Sequence, residues 1–191
     1  MRGYIRVISG CMFSGKTEEL ISQIRRAPYA KHKVQVFKAS LDDRYHASSV
    51  VAHHEASVQA IAVTSAQQLL HMVEETTTIV AVDEAQFFDK DLPKVCEHLA
   101  DRGLGVIVAG LDTDFRGEPF GPMPYLMSIA EEVVKKHAYC SVCGGPASRS
   151  QRLIGGHPAS YESPVTFVGG RESYEARCRE HHIVPGKPSF E

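Results

Sequence analysis

Short apolar runs alternate with polar stretches that carry apolar residues at helical spacing, and this alternation predicts strands and helices in turn. Tyr4 to Ser9 reads as a short buried strand, and Thr17 to Ile24 as a helix with one apolar face. After a break at Pro28 and the polar Lys31-His32-Lys33, Val34 to Phe37 restarts as a strand. Val58 to Val63 alternates enough for another. Ser65-Ala66-Gln67-Gln68 then opens a helix with a capping-box pattern, its apolar face being Leu69, Met72 and Val73 and its end Thr76-Thr77-Thr78. Ile79 to Val82 is a β-branched run of the kind buried in parallel sheets. A helix from about Asp91, with Pro93 in its first turn and Gly103 just past its end, leads to a further buried strand, Val106 to Ala109. A helix near Pro124 to Ala130 returns the chain to the body. Strands alternating with helices predict an α/β fold, a parallel sheet with helices on both faces.

Three stretches lack periodicity. Asp42 to Glu55 reads as a long loop, in which Asp42, Arg44, His53 and His54 are most simply solvated surface. Ser148 to Tyr174, with Gly155-Gly156, Gly169-Gly170, Pro158 and Pro164, reads as an irregular loop able to close over a ligand. Val184 to Ser189 reads as a tail with little expected order.

Composition changes this picture little. At 191 residues, 43% hydrophobic and 23% charged, the chain can bury one α/β domain and a small appendage. We place the boundary so that residues 1–135 form a nucleotide-binding domain and 136–191 a smaller one. A net charge of −2 gives no electrostatic case for a nucleic-acid polymer as partner. No apolar run reaches membrane-spanning length, and the first residues read as a strand rather than a leader, so no membrane association and a cytoplasmic location are expected.

The chemistry begins between the first strand and the first helix. Gly10-Cys11-Met12-Phe13-Ser14-Gly15-Lys16-Thr17 has two glycines enclosing four residues, followed by Lys and Thr. That spacing lets successive backbone N–H groups converge on a polyphosphate at a helix N-terminus. Lys16 is then the candidate for the β- and γ-phosphates and Thr17 for Mg²⁺, and the chain is expected to bind a nucleoside triphosphate. Ser9 leads into this loop. With this motif the fold expected is a P-loop NTPase of the RecA-like kind.

Asp83-Glu84 ends the apolar strand at Ile79. Asp83 is placed to hold Mg²⁺, and Glu84, facing the other way, to orient an attacking hydroxyl and take its proton. Ala85 and Gln86 follow in the same turn and join the candidate ATP and Mg²⁺ residues. The segment Leu111 to Gly121 leaves the C-terminal edge of a strand, where ligands of open α/β sheets collect, and carries Phe115 and Phe120 as candidate pocket walls.

Five cysteines argue against a disulfide framework. Cys11 and Cys96 are most simply packing residues. Cys140-Ser141-Val142-Cys143 and Cys178-Arg179-Glu180-His181 have the spacing of a closed tetrahedral Zn²⁺ site. The two-residue gap favours His181 as the fourth ligand, with His182 as the alternative.

These segments together resemble the thymidine kinases of the bacterial and animal-cytosolic type. The resemblance runs over nearly the whole chain: the phosphate loop with its Met-Phe interior, Asp83-Glu84-Ala85-Gln86-Phe87-Phe88, Leu111-Asp112 through Pro119-Phe120-Gly121, and the cysteine pairs with the Gly-Gly…Tyr segment. It implies transfer of the ATP γ-phosphate to the 5′-hydroxyl of thymidine, with Glu84 as general base and Lys16, Thr17 and Asp83 managing phosphate and Mg²⁺. Asp42 and Arg44 match a family Asp-x-Arg near the transferring phosphate, which replaces the surface reading and adds Arg44 to the catalytic set. The thymine would lie among Met12, Phe87, Leu111, Phe115 and Phe120, with Ser150, under a lasso carrying Val165, Phe167, Gly169 and Tyr174. Two positions depart from the family habit: His181 stands where Cys is frequent, and Phe167 where an aliphatic residue is common. The resemblance further implies a homotetramer and feedback inhibition by thymidine triphosphate (dTTP).

Two other classes compete with this reading. A nucleic-acid-stimulated ATPase would share the acidic box and zinc ribbon, but a helicase motor needs a second lobe that this length does not hold. A regulatory GTPase switch would need Asn-Lys-x-Asp for guanine, which is absent from the sequence.

Overall fold

Buried β-branched runs set the main sheet. The computed structural model describes residues 2–40, 48–51, 57–165 and 172–189. Its largest sheet joins β1 (Tyr4–Gly10), β2 (Val34–Ala39), β3 (Ser48–Val51), β4 (Ser57–Val63), β5 (Ile79–Asp83), β6 (Gly105–Gly110) and β7 (Glu132–Lys136) in the order β3-β4-β2-β5-β6-β1-β7. From β4 to β7 every neighbouring pair is parallel; β3 alone runs antiparallel, on the outer edge of β4.

Period-two alternation sends successive side chains to opposite faces, and each face receives its own helices. On one, Leu20, Ile21 and Ile24 of α1 (Lys16–Arg26) cover Ile8, Ala81 and Ile107. On the other, α2 (Ala66–Met72), α3 (Leu92–Asp101) and α4 (Met123–Ile129) bring Leu69, Leu92, Leu99 and Leu126 onto Val7, Val80, Val82 and Val108. The expected parallel α/β architecture with helices on both faces is what forms. Cys96 packs in this core, where burial pushes its thiol up to about 12, so it is a packing residue.

Register places the chemistry. Ser9 lies opposite Gly110 on one side and Lys135 on the other, and Lys38 lies opposite Asp83. The carboxyl ends of β1, β5, β6 and β7 therefore share one edge, with β6 between the phosphate-loop strand and the acidic strand.

The remainder forms two small antiparallel sheets. β8 (Ala138–Tyr139) and β9 (Pro146–Ala147) make a knuckle, and β10 (Arg149–Ile154) is flanked by β11 (His157–Pro158) and β12 (Glu172–Arg177).

Four expectations are corrected. Ser48–Val51, within the supposed long loop, is a strand, because an edge strand is held by backbone pairing and needs no apolar period. Much of Ser148 to Tyr174 is regular: β10 is buried along most of its length and turns through Gly155 and Gly156, both at positive φ, into β11. The helix after Ser65 ends at Met72 rather than at the threonines. There the buried Gln35 amide donates to the Met72 carbonyl and accepts from Glu74 N–H and the Thr77 hydroxyl, so side-chain bonds replace the next helical turn. The segment after Val184 is tied down: Tyr161 N–H donates to the Pro185 carbonyl at 2.8 Å, and the Lys187 ammonium donates to the Arg116 carbonyl.

Candidate active site and metal centre

Backbone conformation builds the phosphate loop. Gly10 at φ 146° and Gly15 at φ 77° occupy regions that suit glycine, and an added Cβ at Gly10 would lie 2.4 Å from the Lys136 carbonyl oxygen. Phe13 also has positive φ, 63°. Gly15 caps α1, which begins at Lys16 and Thr17. The Ser14 hydroxyl and the Lys16 ammonium both donate to the Cys11 carbonyl at 2.8 Å, so the loop is braced from within. Burial lowers the Lys16 pKa, against the opposing pull of the nearby Glu84, Cys11 and Asp83.

The two acids at the end of β5 face different environments, as their adjacency predicts. Asp83 is 6% exposed and accepts the Glu84 N–H at 3.0 Å, whereas Glu84 is exposed. Burial, followed by the charge of Glu84, raises Asp83 to about 6. Glu84 takes a left-handed backbone, φ 52°, which turns the chain sharply into the 3₁₀ turn Ala85–Phe87. Gln86 on that turn donates through Nε2 to the Glu84 carboxylate and accepts the Leu111 N–H on Oε1 at 2.9 Å.

Polar residues lie at this edge, where β1, β6 and β7 end. Asp112 is buried; its Oδ2 pairs with the Lys135 ammonium at 2.7 Å, across the strand that feeds the phosphate loop. Ser9 Oγ, Asp112 Oδ1 and Thr113 Oγ1 are buried with no hydrogen-bond partner among the described residues. A buried carboxylate oxygen and two buried hydroxyls left without partners at the strand ends fit a site built for a polar ligand and its cation. The sequence places Asp112 in a loop segment but gives it no partner, and Lys135 looks like an ordinary surface charge until the sheet brings the two together.

The aromatic candidates divide into two groups. Phe87 and Phe120 meet edge to face, with centroids 5.5 Å apart and planes at 87°. Phe115 is buried with two guanidinium groups over its ring, Arg116 at 5.5 Å and Arg152 at 5.3 Å from its centroid, and its carbonyl is bonded by His182 Nε2 at 2.8 Å. Arg152 is only 1% exposed and also donates to the Pro164 carbonyl at 2.6 Å. No period or motif marks it in the sequence. Met12 donates its N–H to Ser150 Oγ at 3.0 Å, which brings two candidate substrate residues together across the two parts of the chain. Leu111 is buried at the head of the same loop, Val165 is half-buried, and Tyr174 stands opposite Arg152 on β12. Asp42, Arg44, Phe167 and Gly169 lie outside the described residues.

The knuckle brings Cys140, Cys143, Cys178 and His181 together, with all four ligand atoms within 4.8 Å of one another. Cys178 Sγ lies 3.1 Å and Cys140 Sγ 3.8 Å from His181 Nδ1, and Cys143 Sγ is 3.9 Å from Cys178 Sγ. Four ligands at Zn–S of about 2.3 Å and Zn–N of about 2.0 Å sit at such separations around a tetrahedral ion, so the donor set is compatible with structural zinc. Burial works to raise the Cys140 thiol, but backbone N–H groups of Cys178, Cys143 and Val142 outweigh it and bring it down to about 6, toward the thiolate a metal needs. The choice between the two histidines falls to His181, since the His182 ring is occupied at the Phe115 carbonyl.

Among known proteins, the family model described as thymidine kinase matches residues 3–182. The solved structures that resemble the chain include domain III of the Thermotoga maritima replication initiation protein DnaA, at 14% identity and TM-score 0.41, covering 71% of this chain and 55% of that one. Another is the Legionella pneumophila ATPase DotB, at 14% identity and TM-score 0.43, covering 76% of this chain and 44% of that one. The chain spans about half the length of these two.

Proposed function

The chain belongs to the thymidine kinase family, and from that premise we propose that it transfers the γ-phosphate of ATP to the 5′-hydroxyl of thymidine, giving thymidine monophosphate and ADP. The observation that carries this reading is the family match over residues 3–182. The exposed Glu84 beside the buried Asp83, at the edge shared with the phosphate loop, supports the chemistry.

In this reading the backbone of Gly10 to Thr17, with Ser9 leading in, and the Lys16 ammonium hold the triphosphate. The Thr17 hydroxyl and the Asp83 carboxylate would hold Mg²⁺, which supplies charge neutralisation at the phosphates. Glu84 orients the 5′-hydroxyl and accepts its proton as the nucleoside oxygen bonds to the γ-phosphorus and the bond to the β-phosphate oxygen breaks. The electron pair of that bond leaves with ADP, and the proton passes from Glu84 to solvent. Arg44 and Asp42 act near the transferring phosphate by the family pattern.

The thymine is held among Met12, Phe87, Leu111, Phe115 and Phe120, with Ser150, and covered by Val165, Phe167, Gly169 and Tyr174. Residues 1–135 form the kinase domain, and residues 136–191 form the domain that carries zinc and the covering loop. A homotetramer, feedback inhibition by dTTP and a cytoplasmic location complete the proposal.

The test is ADP release from MgATP alone and with thymidine, deoxycytidine or single-stranded DNA. Release that appears with thymidine and is matched by thymidine monophosphate supports the reading. Release indifferent to nucleosides and raised by DNA overturns it in favour of a nucleic-acid-stimulated ATPase.

A further inference from the structure

Three segments around the candidate base close on one buried amide. Gln86 is 2% exposed. Its Nε2 donates to the Glu84 carboxylate, and its Oε1 accepts the N–H of Leu111, the first residue after β6. The start of the loop that follows is fitted to it: a Cβ at Gly110 would lie 2.8 Å from Gln86 Oε1. The end of that loop is fitted to it as well, since a Cβ at Gly121 would lie 2.2 Å from the Gln86 carbonyl oxygen. The next residue, Phe87, meets Phe120 edge to face.

The chemistry of the two partners dictates the side chain. Leu111 N–H can only donate and an ionised carboxylate can only accept, so a bridge between them must offer an acceptor to one and a donor to the other. Gln does both. A Glu of the same length would offer acceptors to both partners, and a Met would offer neither. The amide orientation is fixed by the same logic, because a turned amide would set N–H against N–H and oxygen against carboxylate.

We propose that Gln86 is a positioning residue that holds the Glu84 carboxylate in register with the loop Leu111 to Gly121, so that base and bound nucleoside are located by one amide. This rests on the reading above, in which Glu84 is the base and that loop receives the nucleoside. In this role Gln86 acts through Glu84 and the loop rather than as a contact to ATP or Mg²⁺. A displacement of the base by about 1 Å is enough to lower turnover on the order of 100-fold, which is the scale of effect such a bridge controls.

The experiment compares Gln86→Met and Gln86→Glu with the parent full-length protein, measuring thymidine-dependent ADP release, MgATP binding and the thermal midpoint. Each variant is expected to lose about 10- to 100-fold in kcat, with the KM for ATP within about twofold of the parent. Added to Glu84→Gln, Gln86→Met is expected to lower residual turnover little further, because the group it positions is already gone. Parent-like kcat in both variants overturns the proposal. So does a loss that multiplies fully with that of Glu84→Gln, or one confined to the KM for ATP. Parent-like turnover in Glu84→Gln alone is a different failure, that of the base assignment. If Gln86→Met lowers the thermal midpoint sharply, the isosteric Gln86→Glu carries the comparison.

Discussion

Cys11 of the phosphate loop points its thiol at the Ala147 carbonyl oxygen, 3.4 Å away, and packs with Cys140, Ala138 and Ala176 in one buried cluster against which Cys178 also rests. The interior of the phosphate loop is therefore part of the core of the cysteine knuckle. Burial raises the Cys11 thiol, which keeps it neutral and suited to that packing.

It follows that removing metal should disturb both substrates. We expect about one tightly held zinc per chain by elemental analysis. Chelation should lower the thermal midpoint and raise the KM for ATP as well as for thymidine. A metal-free protein with an unchanged midpoint and an unchanged KM for ATP would contradict the shared core.

Asp83 works against stability for the sake of the site. Its carboxyl is raised from 3.8 to about 6, so between those values the folded chain holds a proton that the unfolded chain has released. Stability therefore falls as pH rises through that window, and the penalty is fully present above pH 6. Asp83→Asn, which keeps an acceptor for Glu84 N–H, should stabilise the ligand-free protein at pH 7.5 by at most about 3 kcal/mol, from a rise of roughly two pH units in that carboxyl, and so raise its thermal midpoint. The gain should shrink toward pH 4, and Mg²⁺-dependent ATP binding should be lost. Calorimetry at pH 4.5 and pH 7.5 checks the sign.

Arg152 holds Phe115 by its guanidinium face and the following loop through the Pro164 carbonyl. Arg152→Met fills similar volume but provides neither interaction. A buried charge-assisted bond and a cation–π contact together suggest a loss of about 2–4 kcal/mol. The KM for thymidine should rise more than that for ATP. Arg152→Lys should not restore the parent, because an ammonium lacks the planar fork that serves both contacts.

Two glycines with similar backbone should respond differently to alanine. Gly121, at φ 50°, would drive a Cβ into the Gln86 backbone, whereas at Gly155, at φ 60°, no atom of the described residues beyond its chain neighbours lies within 4 Å of that position. Gly121→Ala should destabilise by roughly 2–4 kcal/mol, from conformational strain plus overpacking, and lower turnover. Gly155→Ala should carry only the conformational part, about 1–2 kcal/mol, with turnover unchanged. Denaturant midpoints and thymidine-dependent turnover measure both.

The sequence by itself determined what depends on neighbours along the chain. The phosphate loop is legible because glycines, Lys16 and Thr17 act through one continuous backbone turn. Asp83 and Glu84 are legible because adjacent strand-end residues must face apart, and the two cysteine pairs because ligand spacing is local. Tertiary structure decided whatever joins segments far apart in sequence. Spacing only favours His181 over His182; the tertiary structure separates them, by bringing His181 to the three cysteines and His182 to the Phe115 carbonyl. Gln86 reads as one more polar residue in an acidic motif until Leu111, 25 positions later, brings its N–H to the amide. Arg152 and Lys135 carry no pattern, and the pairing of Asp112 with Lys135 is not written in its loop segment, since a buried charge is recognised by its partners and those arrive through the sheet and the small domain. Periodicity records which face of an element is buried; it does not record which distant backbone atom a polar side chain will find there.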